Sequence, residues 1–414
     1  MENRYIELLL KRCLNFDKSK SLFINYDVVN VDFVNKVVEF AKDMGIDDIY
    51  LDEEDINKEH EILSKISLDE IKSHEYFNEY MWDEYAKKNA SFLLLETEFP
   101  KVMDDIDEDK IALASLTKRS TKPIYKEKQA KEIIPWCIAA LPNKVWADSI
   151  FPNAKDSYNK LFNAIAKMCM LDSDDPIKSW DKYLEKSKGM ADKLNNLKIK
   201  KLHYTNSLGT DLTVEYSNDL IWCSAATESG VICNMPSYEI FTSPDYRKTN
   251  GIVYNSKPLV HNGALIDKFY LKFLNGKVVD YDAEVGKKVL KGIIESDSNS
   301  CFLGETALVE YDSPISNTGI VFGTTLFDEN ASCHLALGEG FPECIKDGLN
   351  KNKDELLDVG INQSKTHVDF MIGTSDLNIT ALTENGEFEI FKDGNFVIWQ
   401  LVYSRFWQRI IKML

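Results

Sequence analysis

The chain has 414 residues, 44% of them apolar, and its 67 acidic side chains against 49 basic ones leave a net charge of −18. That length exceeds one ordinary core and predicts two domains, with enough apolar content to bury both. The negative balance repels phosphate backbones, which excludes nucleic acid as a partner, and no stretch approaches the roughly 20 uninterrupted apolar residues of a membrane helix.

Residues 1–23 are interrupted by Glu2, Arg4, Glu7, Lys11 and Arg12. They lack the apolar segment and small-residue cleavage site of a secretory leader, so the expectation is a cytoplasmic protein with no membrane partner. The eight cysteines fit that compartment: no Cys-x-x-Cys occurs, and several sit in apolar runs such as Trp136-Cys137-Ile138-Ala139. They read as reduced core thiols.

In chain order, residues 22–27 read as a strand. Val34, Val37, Val38 and Ala41 then repeat at the helical period up to Gly45, and a second strand lies near 48–51, which makes a βαβ unit. A helical region around 68–88, an apolar run at 92–95, a polar helical stretch through Lys128 and an apolar run at 136–141 continue the alternation. Short apolar strands separated by helices imply an α/β domain with a mainly parallel sheet covered on both faces. No glycine-rich phosphate loop follows any of these strands.

The Lys-rich stretch 182–201 is predicted to be a helix leading into the second domain, with the boundary near residue 195 and domains at 1–194 and 195–414. Beyond it strands dominate, giving an α+β domain. Residues 201–206 and 211–216 flank a turn at Gly209, while Asn385-Gly386 and Asp393-Gly394 are hairpin turns. They define an antiparallel meander with strands at 367–372, 378–383, 387–391 and 395–399.

The run Thr366-His367-Val368-Asp369 falls in that meander. A His-x-Asp on an extended segment projects two metal-binding side chains from one face of a sheet. A lone strand histidine is more often satisfied by a backbone carbonyl, so the pattern gains meaning only with company. Glu239 after Pro236-Ser237-Tyr238, Glu305 after Leu303-Gly304 and His334 before Leu335-Ala336 provide it. A dinuclear hydrolytic site needs five or six oxygen and nitrogen ligands, including a carboxylate able to touch both ions. Two cations about 3.5–4 Å apart acidify a shared water and polarise a carbonyl.

His334 is placed near the start of a short helix ended by Gly338, where the roughly 100° between neighbouring side chains turns Cys333 away from it as a buried thiol. The remaining histidines, His60, His74, His203 and His261, stand in no comparable setting and read as structural or exposed.

Four ordered blocks, residues 234–244, 303–315, 325–338 and 367–373, resemble the thermophilic-type metallo-aminopeptidase family, with thinner similarity at 136–142, 145–152 and 202–216. The resemblance covers most of the chain. It implies Glu239, Glu305, His334, His367 and Asp369 as metal ligands, Glu305 also as the catalytic carboxylate, and two divalent ions, for which zinc, cobalt and manganese suit this donor set alike. It also implies a homodimer whose N-terminal domain helps to close a cavity over the metals. The substrates would then be short peptides that dock a free N-terminal amine.

The pattern departs from the family at two places. Tyr238 precedes Glu239 where the family usually has Glu or Gly, and Phe341, seven residues beyond His334, stands where the family places a tyrosine thought to help stabilise the oxyanion. Loss of one oxyanion donor costs about 10²–10³ in rate; Tyr238, Tyr246 and Tyr311 are the tyrosines whose hydroxyls could substitute. Two readings stand: a metal-dependent aminopeptidase, and a metal- and peptide-binding member with little or no catalytic activity.

Overall fold

The computed structural model describes residues 1–17, 20–73, 79–261 and 263–398. The chain forms two compact units: Met1–Leu184 with Ala225–Ser237 and Val260–Ala264, and Glu185–Ser224 with Tyr238–Leu259 and Leu265–Leu414.

The first unit is built on a five-stranded parallel sheet in the order Ile49–Glu54, Leu22–Asp27, Ser91–Glu96, Trp136–Ala140, Asn234–Met235. Helix Val31–Asp43 makes the first crossover, burying Phe33, Val34, Val37 and Ala41. It ends where Gly45 takes φ +88°, a conformation that costs glycine little. Ser91–Glu96 is buried at every position except its last residue, as expected of a strand covered on both faces. On one side of it Phe23, Trp82, Phe92 and Tyr125 form an aromatic cluster with ring centroids 4.7–5.8 Å apart.

The predicted helical region 68–88 is two helices, Leu68–Lys72 and Tyr80–Lys87, with residues 74–78, and so His74, outside the described residues. The polar stretch is also two, Glu108–Ser120 and Pro123–Ala130.

Helix Pro176–Leu197, which begins earlier than its Lys-rich portion suggested, carries the chain from the first unit into the second, which continues as strands. Ile199–Thr205, Asp211–Glu215, Asn378–Thr383, Gly386–Lys392 and Asn395–Phe396 belong to a large antiparallel sheet. A second, five-stranded antiparallel sheet has the order His367–Met371, His334–Gly338, Leu303–Leu308, Ile240–Thr242, Cys223–Ser224. The two share one core, to which the large sheet gives Leu202, Leu212, Ile379 and Phe391 and the smaller one Leu303, Leu308, Leu335, Leu337, Val368 and Phe370.

Two expectations need correction. The strand carrying His367 and Asp369 is not part of the C-terminal meander: its partner is His334–Gly338 in the smaller sheet. A turn at Thr374–Leu377, closed by Leu377 N–H donating to the Thr374 carbonyl, carries the chain across to the larger sheet. Alternation of apolar residues defines a strand but not the sheet it joins. The last meander strand is short, and Trp399 lies outside the described residues.

His334, likewise, begins a strand, not a helix. Leu335 and Leu337 alternate with Ala336 and Gly338, a period of two. Cys333 is buried, as expected, but for another reason: neighbouring strand residues face opposite ways, and its thiol meets the Val309 carbonyl at 3.4 Å.

Candidate metal centre

The smaller sheet has one face in the core and the other on the candidate site. In antiparallel pairing, residues directly opposite share a face. Ala336 lies between Glu305 on one neighbouring strand and Asp369 on the other, Gly338 is opposite His367, and Ala307 is opposite His334. His334, Ala336 and Gly338 therefore present one large and two small groups to this face, leaving room above Ala336 and Gly338 for the side chains that flank them.

Glu305 reaches this face only because its strand is irregular. Leu303 and Leu308 both belong to the core, yet they are five residues apart and a regular strand would place them on opposite faces. The register shifts between Leu303 and Glu305, leaving Gly304 as the extra residue of a bulge. A Cβ on Gly304 would lie 2.1 Å from the Glu339 carbonyl oxygen, and one on Gly338 would lie 2.0 Å from that of Thr366. Only glycine tolerates either approach.

The five predicted ligands come together in two groups that share Glu305. One is Glu239, Glu305 and His334; the other is Glu305, His367 and Asp369, and within each group the ligand atoms lie within 4.8 Å of one another. His334 Nε2 is 3.2 Å from Glu239 Oε2 and 3.9 Å from Glu305 Oε1. His367 Nε2 is 3.1 Å from Glu305 Oε2 and 3.2 Å from Asp369 Oδ1. The opposite nitrogens face carbonyls: His334 Nδ1 donates to Glu329 at 2.9 Å and His367 Nδ1 to Glu339 at 2.7 Å. A carbonyl can only accept, so the proton sits on Nδ1 and Nε2 is aimed inward, the outer contact that orients metal-bound imidazoles.

Buried charge sets the proton affinities. Burial pushes Glu305 up to about 7, against the hydrogen bond from His367 and with the repulsion of Asp369. Burial would lower both imidazoles, but the Glu239 hydrogen bond and Glu305 hold His334 well above its usual value, and Asp369 and Glu305 do the same for His367. Burial acts to raise Asp369, and His367 overrides it, keeping that carboxyl below its usual range.

The residues fit a cation. Asp369 Oδ1 is buried against the His367 imidazole, and three buried carboxylates around two inward-facing imidazoles form the oxygen and nitrogen donor set that divalent ions take.

One residue escaped the sequence analysis. Glu329 is buried, its carbonyl orients His334, and burial followed by repulsion from Asp369 and Glu239 raises its carboxyl well above the usual range. Asn330 beside it is fully buried and accepts from Tyr238 N–H at 2.7 Å, anchoring the loop that carries Glu239. A Glu five residues before a candidate His ligand, inside Asp328-Glu329-Asn330-Ala331, was the available signal.

Phe341 packs its ring 4.9 Å from that of His367 and 5.4 Å from Phe241. It therefore lies at the site and brings no hydroxyl. Tyr246 packs edge-on against Phe302, and Tyr311 is exposed. His60 and His203 make surface contacts with Asp105 and Asp211 at 2.8 and 2.7 Å.

The thermophilic metalloprotease family, M29, matches residues 2–396. The chain is 36% identical to aminopeptidase 2 of Geobacillus stearothermophilus over 95% of its length and 97% of the relative's. It is 34% identical to aminopeptidase AmpS of Bacillus subtilis over 95% and 98%. The solved structure of wild-type AmpT from Thermus thermophilus superposes with a TM-score of 0.86 at 27% identity, over 96% of this chain and 98% of that one.

Two outcomes are expected. Gly304→Ala should displace the Glu339 carbonyl from His367 Nδ1 and weaken metal binding about 10- to 100-fold, measured by competition with a chromophoric chelator. Metal binding should also tighten with pH. Glu305, His334 and His367 hold protons to higher pH in the fold than in the unfolded chain, so that stabilisation is present at low pH and declines as pH rises, for Glu305 through about 7 and for the two imidazoles from their usual value upward. Asp369 works oppositely, but its contribution is lost only on acidification below its usual range. The metal-free protein should thus melt at lower temperature at about pH 8 than at about pH 5.5, while metal, which must displace the protons, binds more tightly at the higher pH.

Proposed function

Because this chain belongs to the M29 family of thermophilic metalloproteases, we propose that it is a metal-dependent aminopeptidase that removes N-terminal residues from short peptides and works as a cytoplasmic homodimer. In this reading Glu239, Glu305, His334, His367 and Asp369 hold two divalent ions, zinc, cobalt or manganese. The observation that carries it is Glu305, the one carboxylate common to both ligand groups. Bound there, the ions supply Lewis acidity toward a carbonyl oxygen and a water acidified toward neutral pH.

The chain's own groups do the rest. Glu305 takes the proton of the attacking water at a carboxylate oxygen. It then returns that proton to the leaving amine. His334 and His367, held by the Glu329 and Glu339 carbonyls, keep the carboxylates in place without reorganisation. Glu329 adds a fourth buried carboxylate as a further ligand or a relay for the proton. Phe241 and Phe341 supply an apolar wall beside His367 and exclude water from it, which favours substrates with apolar N-terminal side chains.

Phe341 also motivates a second reading, a member that holds metal and peptide but cleaves slowly, since no hydroxyl stands where the family has one.

Release of leucine from Leu-Leu by chelator-stripped protein, before and after adding zinc, cobalt or manganese, tests the first reading against the second. Metal-restored cleavage is expected, with Glu305→Gln reducing it by at least about 10²-fold and His367→Ala losing bound metal. Stoichiometric metal uptake with no cleavage would leave the silent binder. Phe341→Tyr should raise turnover by about tenfold or more if the missing donor limits the rate; an unchanged turnover would show that the oxyanion is stabilised by other groups.

A further inference from the structure

No cysteine takes part in the reading above, yet two of them meet beside the candidate centre. Six of the eight are buried, while Cys223 and Cys233 are partly exposed. Cys223 lies on the edge strand of the smaller sheet, at the end of a row that crosses it: Cys223 is opposite Phe241, Phe241 opposite Ala307, and Ala307 opposite His334. Directly opposite residues share a face. Its side chain is therefore on the face that carries the ligands, three strand spacings or roughly 14 Å from His334. Trp222 before it belongs to the core, as the two-residue period requires.

A second antiparallel contact brings Cys344 to it. Ile221 N–H donates to the Cys344 carbonyl at 2.8 Å and Lys346 N–H to the Asp219 carbonyl at 3.0 Å, with Leu220 opposite Ile345. Cys223 Sγ then lies 3.8 Å from the carbonyl oxygen of Glu343, the residue before Cys344, and the two thiols share a hydrogen bond. Their surroundings differ. Burial, followed by the hydrogen bond with Cys223, holds the Cys344 thiol well above its usual value. An oxidant arriving from solvent thus meets Cys223 first, and Cys344 is the neighbour that can resolve it.

The connection that holds Cys344 also holds the site. Glu339, whose carbonyl accepts from His367 Nδ1 at 2.7 Å, and Phe341, whose ring packs 4.9 Å from that imidazole, lie on the same short segment as Cys344. Phe341 leads into the turn Pro342–Cys344, and its carbonyl accepts from Cys344 N–H at 3.2 Å. A disulfide brings its sulfurs to about 2.05 Å, far closer than hydrogen-bonded thiols. Closing one here draws the turn towards the edge strand, and Phe341 with it.

We propose that Cys223 and Cys344 form a reversible dithiol switch beside the candidate centre, closed by a hydroperoxide and reopened by thiols. The peroxide transfers one oxygen to the Cys223 sulfur as its O–O bond breaks, and water or an alcohol leaves. The Cys344 sulfur then attacks the sulfenic acid, the S–S bond forms, and the Cys344 proton departs with the displaced hydroxide as water. Two electrons pass in all from the thiols to the peroxide. Closure shifts Phe341 against His367 and loosens the hold on metal; that consequence rests on the metallopeptidase reading, whereas the disulfide does not.

Zinc-loaded full-length protein, treated with a small excess of hydrogen peroxide and mapped by mass spectrometry without reduction, tests it. A peptide linking Cys223 to Cys344 is expected, with two of the eight thiols lost and zinc held about tenfold more weakly in competition with a chromophoric chelator. Dithiothreitol, removed before each measurement, should reverse all three changes, and Cys223→Ser and Cys344→Ser should each abolish the link and the response of zinc affinity to peroxide. A link at Cys233 instead, Cys223 oxidised to the sulfinic acid without linking, or a Cys223–Cys344 link that leaves zinc affinity unchanged would each overturn the proposal. Reduced protein that takes up no zinc would sink the metal-centre reading, and the linked peptide would still decide whether the switch exists. The peptide map uses the unaltered chain, so a misfolded Cys344→Ser variant would not rescue it.

Discussion

A one-residue shift in strand register is the constraint on which the candidate centre depends. Leu303 and Leu308 are both needed in the core, and an odd spacing cannot put two residues of a regular strand on one face. Were the strand regular from Leu308 backward, Gly304 would occupy the core face and Leu303 the site. Were it regular from Leu303 forward, Glu305 would point into the core with its charge unpaired, which is among the costliest burials a fold can make. The bulge at Gly304 satisfies both demands. The glycine also lets the Glu339 carbonyl come close enough to hold His367, so one small residue sets the direction of one ligand and the orientation of another.

Around that shift the sheet is economical. Its middle strand offers Ala336 and Gly338 where larger residues would fill the space, while Leu335 and Leu337 on the reverse tie the same strand to the core. Rigidity comes from the core side and openness from the site side, a consequence of the two-residue period. Without a cation, the buried carboxylates repel one another and draw protons onto both imidazoles. A divalent ion relieves the repulsion, so the arrangement costs stability in the metal-free fold and repays it on binding.

Phe341 shows how local packing alters a site without disturbing its ligands. Its ring sits against His367 and Phe241, continuous with the apolar side of the centre. The phenylalanine ring flanks the imidazole and brings no hydroxyl to that position.

Much of this was legible in the chain. Period-two and period-3.6 patterns defined the βαβ start, the parallel α/β character of the first unit and the antiparallel second. His367-x-Asp369 is self-announcing because strand geometry makes a local spacing into a shared direction. The other candidate ligands, Glu239, Glu305 and His334, follow from resemblance to a family, since no local rule links residues 33 to 130 positions away to the His-x-Asp pair. Reading His334 onto a helix followed from treating Gly338 as a helix stop, when the glycine in fact admits the Thr366 carbonyl between two strands. Glu329 was overlooked because a carboxylate before a short helical turn looks like a solvated cap until its burial is known.

The amino-acid sequence by itself determined which segments are strands and helices, and through local spacing it paired His367 with Asp369, because those properties depend on neighbours a few residues away. The tertiary structure decided which sheet that pair joins, that Glu305 stands between two ligand groups, and that Gly304 must be a bulge. These depend on register between strands distant in the chain, and register is set by how whole apolar faces fit together in the core.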